Sequence, residues 1–442
     1  MKTFYSALCG ASFIALTAGM ASAADDNVTF LDQDGTNNSA SVTQSGNDNE
    51  AGASGLAVTQ DGFYNQLEIL QSGNNNEIGL EGVGVRQEAV LKNGSNPIAN
   101  TLVITQSSSF NTVGSVYQDS DGTDQQASAR NRVNITQAGL GGHRIGTVHQ
   151  ERGASNYNVL NVTQNGLANV LEDVYQRNRA GGNVSNSINV NMSGASNGRN
   201  LIGAPTELDL FADIADVQGS TLRQGWVRQF SRRNTIDLDV SGTFNNFGIT
   251  QDGKGNTVGT VTMTGGFNQL GIRQDGDDNQ VSLSTISGIG NNIGVAQYQD
   301  NNIAGVNVSG NANRLGVLQD GMSNTADVAI TGDNNGLAYN SVSFFGQRIY
   351  TSADSLDNPA AGIALLPGFE LGRVTQFGDD NDVNLNIDGN NNLFGTLQDG
   401  VGNSIEGTVD GNGNQFAVAQ VGVANMTNFT QTGGGNNLAV SQ

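Results

Sequence analysis

The chain has 442 residues, of which 61 are Gly and 4 are Pro, with 14% charged residues and a formal net charge of −22. So few large apolar side chains rule out an ordinary globular core, and polar residues scattered at random under this charge would leave the chain disordered. The acidity opposes nucleic-acid binding, and a single Cys with two His leaves little basis for disulfide, thiol or cysteine-zinc chemistry.

In chain order, residues 1–23 read as a signal peptide, with Lys2, an apolar and small-residue run from Ala7 to Met20, and Ala21-Ser22-Ala23 as a cleavage site. The run is shorter than the roughly 20 residues a membrane span needs. The mature protein is therefore expected to be exported and not membrane-embedded. Cys9 lies inside this segment without the preceding small residue of a lipoprotein signal, so it reads as part of the apolar run.

Residues 24–197 open on a repeat, with Asn27, Gln33, Gly35, Asn38, Gln44, Gly46 and Asn49 in one frame, and the spacing then becomes irregular up to Asn197. Residues 198–217 interrupt it with Pro205 and the run Glu207-Leu-Asp-Leu-Phe211. Residues 218–342 carry a regular frame from Gly242-x-x-Asn245 to Gly332-x-x-Asn335 in steps of eleven or twelve, and only the slot at Gln299 lacks its Gly. Residues 343–366, with Phe344, Phe345, Tyr350 and Pro359, form a second interruption. Both are expected to be loops that protrude from the repeat, with partner docking as the other reading.

Residues 367–442 repeat every eleven residues without a slip: Gly378, Gly389, Gly400, Gly411, Gly422 and Gly433 each stand three residues before Asn381, Asn392, Asn403, Asn414, Asn425 and Asn436. Gly and Asn tolerate positive φ, so each Gly-x-x-Asn is a turn. The residues two, four and six after Asn, such as Val383, Leu385 and Ile387, alternate as one face of a short strand. Gln251, Gln274, Gln297, Gln319, Gln376, Gln398 and Gln420 recur in alternate units, and Gln431 and Gln442 fall in the same slot of theirs. The prediction is an all-β protein, a β-solenoid (β-helix) of stacked two-strand rungs of about 22 residues, roughly fifteen rungs in all. Stacking would bring inward Gln and Asn amides into hydrogen-bonded ladders.

Gln-x-Gly-x-x-Asn units recur as Gln44-Ser-Gly-Asn-Asp-Asn49, Gln71-Ser-Gly-Asn-Asn-Asn76, Gln164-Asn-Gly-Leu-Ala-Asn169, Gln251-Asp-Gly-Lys-Gly-Asn256, Gln319-Asp-Gly-Met-Ser-Asn324 and Gln398-Asp-Gly-Val-Gly-Asn403. This pattern resembles the curlin repeat of curli fibre subunits, a family of functional amyloids. The resemblance implies self-association into extracellular fibres, and export through a curli-type outer-membrane pore with accessory and nucleator proteins. The chain departs from the family in being much longer than the usual five-repeat subunit and in its two interruptions.

Other features are weaker. Arg223, Trp226, Arg228, Arg232 and Arg233 form a basic cluster in which Trp226 and Arg228 would face outward, suited either to a sugar or anionic polymer or to nothing but solvent. Asp-rich turns such as Gly276-Asp-Asp-Asn279 read as solubilising carboxylates rather than calcium sites, because they lack the spacing of the nonapeptide calcium repeat. His143 and His149 lie six residues apart in the irregular region without a carboxylate cluster in the sequence around them. No catalytic residue, metal site or cofactor is expected. Two functions compete: a structural subunit of curli-like fibres supporting cell adhesion and biofilm matrix, and a secreted β-solenoid adhesin or ligand-binding rod that does not polymerise. The frame already holds at Asn27 and still holds at Gln442, so uncapped end rungs are expected, which favours the fibre.

Overall fold

In a computed structural model of the protein, the described residues are 6–8, 13–15, 26–89, 100–120, 130–152, 157–178, 185–198, 222–336 and 366–442. Their regular structure is all β, in parallel stacked strands that form a β-solenoid of about 13 turns averaging roughly 26 residues. The predicted class holds, while the turns are fewer and longer than the predicted fifteen of 22. The chain forms two compact units, Met1–Arg199 with Gly225–Ile236, and Asn200–Gln224 with Asp237–Gln442.

In the second unit, successive strands alternate between two parallel sheets. One contains Asn292–Tyr298, Arg314–Asp320, Arg373–Phe377, Leu393–Val401 and Gln415–Val423; the other contains Ile303–Ser309, Thr325–Thr331, Asp382–Asp388, Ser404–Asp410 and Met426–Thr432. Register places like on like: Ile293 beside Leu315, Val295 beside Val317, Gln297 beside Gln319. Asp382–Asp388 alternates strictly between exposed and buried, with Val383, Leu385 and Ile387 inward. Phe394 and Phe416 stack 5.7 Å apart, and Phe416 meets Phe429 of the facing sheet at 4.9 Å. Burying one such side chain contributes about 2–3 kcal/mol, so a rung with three or four gains too little alone and depends on its neighbours.

The turns explain the Gly. Gly321 adopts φ +145°, and a Cβ there would lie 1.9 Å from the carbonyl oxygen of Gly378 on the next rung. At this corner the backbones approach too closely for a side chain in that conformation.

Two segments cover the outward side of the first sheet in this unit. Leu222 packs on Ala296, Tyr298 and Leu318, and Phe369 packs on Leu393, Leu397, Ala417 and Ala419. The Leu222 contact is why the outward Ala296 and Tyr298 of Asn292–Tyr298 are buried.

The first unit has the same plan, with Val58–Phe63, Val85–Ala89, Thr112–Asp119, Arg144–Arg152, Val170–Asn178 and Trp226–Phe230 in one sheet. Ser39–Gln44, Gln66–Gln71, Thr101–Gln106, Arg130–Gly141, Tyr157–Leu167 and Ser185–Met192 form the other. Equivalent residues are separated by 26 in one step and by 35 in another, because the corners vary in length while the strands stay in register. Ser6–Leu8 and Phe13–Ala15 are short strands beside Leu31–Gln33 and Ser39–Ser41. The rest of residues 1–23, with Cys9, and nearly all of both interruptions, including Pro205, Glu207–Phe211, Phe344, Phe345, Tyr350 and Pro359, lie outside the described residues.

Candidate functional site

The interior of each unit holds columns of amides, most of them fully buried, with Gln442 and Asn436 on the last rung exposed. In the second unit Gln251, Gln274, Gln297, Gln319, Gln376, Gln398, Gln420 and Gln442 form one ladder, each Nε2 donating to the Oε1 of the next at 2.8–3.0 Å. The second amide hydrogen goes to a carbonyl across the rung: Gln297 donates to Gln280 O, Gln376 to Thr325 O and Gln398 to Asp382 O. Such an amide meets its hydrogen-bonding needs without water, so its burial is not penalised. Gln431 is placed differently: its column neighbour is Val409, and its amide donates to Gln415 O at 3.1 Å.

The Asn residues hold the corners. At one corner Asn381, Asn403 and Asn425 follow Asn324, and at the other Asn392, Asn414 and Asn436 follow Asn335. Each carboxamide oxygen accepts the backbone N–H of the next Asn, as Asn403 N donates to Asn381 Oδ1 at 3.1 Å. Its Nδ2 donates to the carbonyl of the next rung's turn glycine: Asn381 to Gly400, Asn392 to Gly411, Asn403 to Gly422 and Asn414 to Gly433. One side chain thus grips both ends of the following turn. This couples Gly378, Gly389, Gly400, Gly411, Gly422 and Gly433 to the ladder: their bare Cα lets the corners close, and their carbonyls receive the Asn amides where these reach them.

Sequence reasoning missed three further columns. In the first unit one ladder runs Gln60, Gln87, Gln118, Gln150, Gln176, Gln229, and a second runs Gln44, Gln71, Gln106, Gln137, Gln164. Gln44, Gln60, Gln71, Gln137 and Gln164 carry the Gln-x-Gly signal, whereas Gln87, Gln106, Gln118, Gln150, Gln176 and Gln229 lack its Gly and had no local mark. The third is a column of turn carboxylates, in which Asp277 Oδ1 accepts Lys254 N–H at 2.7 Å and Asp300 accepts Asp277 N–H at 2.8 Å; at the opposite corner Asp333 accepts Asn311 N–H at 2.7 Å in the same way. These Asp residues join rungs rather than serving solubility alone.

His143 occupies an Asn position in the first unit. Its Nδ1 accepts the Asn169 N–H at 3.2 Å and its Nε2–H donates to Ala138 O at 2.6 Å, so the imidazole is neutral. Burial pushes its pKa down against the opposing carbonyls of Ala138 and Gly166. His149 faces outward between Tyr117 and Tyr175, with ring centroids 5.0 and 4.9 Å away, and burial likewise lowers its pKa. On the same face the Arg228 guanidinium lies 3.6 Å over the Trp226 ring and 2.6 Å from Asp173. This side of the Trp226 ring is therefore occupied by an arginine already paired within the fold.

Among the described residues no group of three or more His, Cys, Asp or Glu is placed to hold a metal ion, and no helix is long and apolar enough to cross a membrane. The arrangement is suited to stacking rather than to chemistry. The curlin associated repeat family matches residues 24–54. No curated protein matches the chain.

Proposed function

We propose that this curlin-repeat protein is a structural subunit of extracellular curli-like fibres that support cell adhesion and biofilm matrix. One observation carries the proposal: every step of the Gln ladder from Gln251 to Gln420 donates in the same direction along the stack. Any rung without a successor then presents a Gln amide donor, Asn carboxamides and a row of backbone groups to whatever matches them. Another rung of the same repeat matches all three. Addition of rung on rung is a heterologous contact that does not close, so it produces a filament of defined polarity. A curli-type export pore and nucleator belong to the same reading by family resemblance.

The test is purified protein followed by thioflavin fluorescence and electron microscopy. Unbranched fibres are expected, and Gln398→Leu with Gln420→Leu should keep the strands but slow growth severalfold, because an apolar seam fixes register less tightly than an amide ladder. Protein that stays monomeric for days at high concentration would replace the fibre with the non-polymerising adhesin.

A further inference from the structure

In the first unit the outward side of the sheet formed by Ser39–Gln44, Gln66–Gln71, Thr101–Gln106, Arg130–Gly141, Tyr157–Leu167 and Ser185–Met192 has an unusual composition. Three outward columns run through these strands in unbroken register, starting at Ser39, Ser41 and Thr43 and ending at Ser187, Asn189 and Asn191. Within them the only charged residues are Glu68 and Arg132, in a chain of net charge −22. The corresponding sheet of the second unit carries Asp327, Asp382, Asp388, Glu406 and Asp410 outward. The other sheet of the first unit carries Glu88, Glu151 and Asp173 outward.

The central column contains a second kind of amide ladder. Asn134 Nδ2 donates to Asn161 Oδ1 at 2.8 Å, and Asn161 Nδ2 donates to Asn189 Oδ1 at 2.7 Å. The strongest polar groups of this face spend hydrogen bonds along the stack axis rather than outward, so excluding water from the face costs less than its Asn content suggests. Val103, Thr105, Thr136, Val159 and Thr163 around them are β-branched and stiff.

We infer that this face is a lateral interface on which a second copy of the chain packs, sheet against sheet, when chains are already joined in fibres. The inference rests on the fibre reading above. Charge selects the occupant: two copies repel through their acidic surfaces, and a nearly neutral face is where they can meet at little electrostatic cost. Size sets the condition. Six strands about 4.8 Å apart, five residues wide at about 3.3 Å each, present on the order of 400–500 Å², well below the roughly 800 Å² per partner of a stable interface. Two free chains should therefore not pair by it, whereas two filaments that repeat it many times should.

The experiment compares fibres of the full chain with those of Asn161→Asp and Thr163→Lys by electron microscopy and thioflavin kinetics. Wild-type filaments should pair or bundle. Each variant should elongate at a rate within about twofold of wild type yet give single filaments about half as wide, and mixing the two oppositely charged variants should restore pairing. Thr408→Asp, on the acidic face of the second unit, should leave bundling unchanged. Variants that bundle like wild type overturn the inference, as does a loss of bundling in Thr408→Asp equal to that in Asn161→Asp. Wild-type fibres that remain single also overturn it; if Asn161→Asp then weakens retention on microcrystalline cellulose, the occupant is a glycan. A wild type that forms no fibres at all defeats the fibre reading itself.

Discussion

A slot in the frame can be filled by the wrong residue at a measurable cost. Gln299 stands where neighbouring rungs have Gly276 and Gly321, and it adopts φ 67° against their 130° and 145°. Its Cβ confines it to the left-handed well, which costs a non-glycine residue about 1 kcal/mol. Gln299→Gly should therefore stabilise the second unit by ~0.5–1 kcal/mol, read from the denaturant midpoint; no gain would mean that the strain is relieved elsewhere. His143 is the other substitution, a titratable group in an amide column. Because its folded pKa is lowered from 6.5, the unfolded chain binds the proton more readily, and stability is lost as pH falls from about 6.5 through the folded value. His149 acts in the same sense. Glu77 and Asp382, raised mainly by burial, act oppositely: the folded state gains as pH falls through their folded values toward 4.5 and 3.8. His143→Asn should restore the column between Asn111 and Asn169 and reduce the loss of stability between pH 7 and 5. An unchanged pH profile would show that His143 is not what titrates.

At the scale of elements, strands and turns of the regular region were legible because both their causes are local: alternation sets the strand, and Gly-x-x-Asn sets the corner. The ladders of the first unit were not, since a column depends on which residues become neighbours in space. Corners of different length shift that pairing by several residues while leaving the strands alike. The cover formed by Leu222 and Phe369 was hidden for a different reason. Outward positions are expected to face solvent, and the available signal was their composition: Leu397, Ala417 and Ala419 stand where Asn384, Asn386 and Glu406 stand in the other sheet. A Cβ on Gly395 would lie 2.5 Å from the Phe369 ring, so the groove is cut to that ring. Phe369→Ala should cost about 3 kcal/mol and speed hydrogen exchange in Leu393–Val401. Gly395→Ala should cost less in that background than alone, with the part owed to the Glu370 carbonyl oxygen, 2.8 Å from the added Cβ, remaining; additive losses would mean that the two do not meet.

For the molecule as a whole, the proposed fibre would extend between chains the same repeat that stacks rungs within one, while the net charge of −22 opposes it. Screening should therefore speed the first encounters: raising salt from about 0.01 to 0.15 M shortens the Debye length from about 30 to 8 Å, and the lag before fibre growth should shorten severalfold. A lag independent of salt would show that charge does not limit association. The central claim, that the fibre is a continuation of the solenoid, is tested most directly by the mass per unit length of single filaments. A solenoid places roughly 26 residues in each layer, with layers about 4.8 Å apart. A fibre in which every chain lies flat in one layer, instead of spanning about 13 of them, would have a mass per length about thirteen-fold higher at the same spacing. The lower value is predicted, and the higher one would contradict the account.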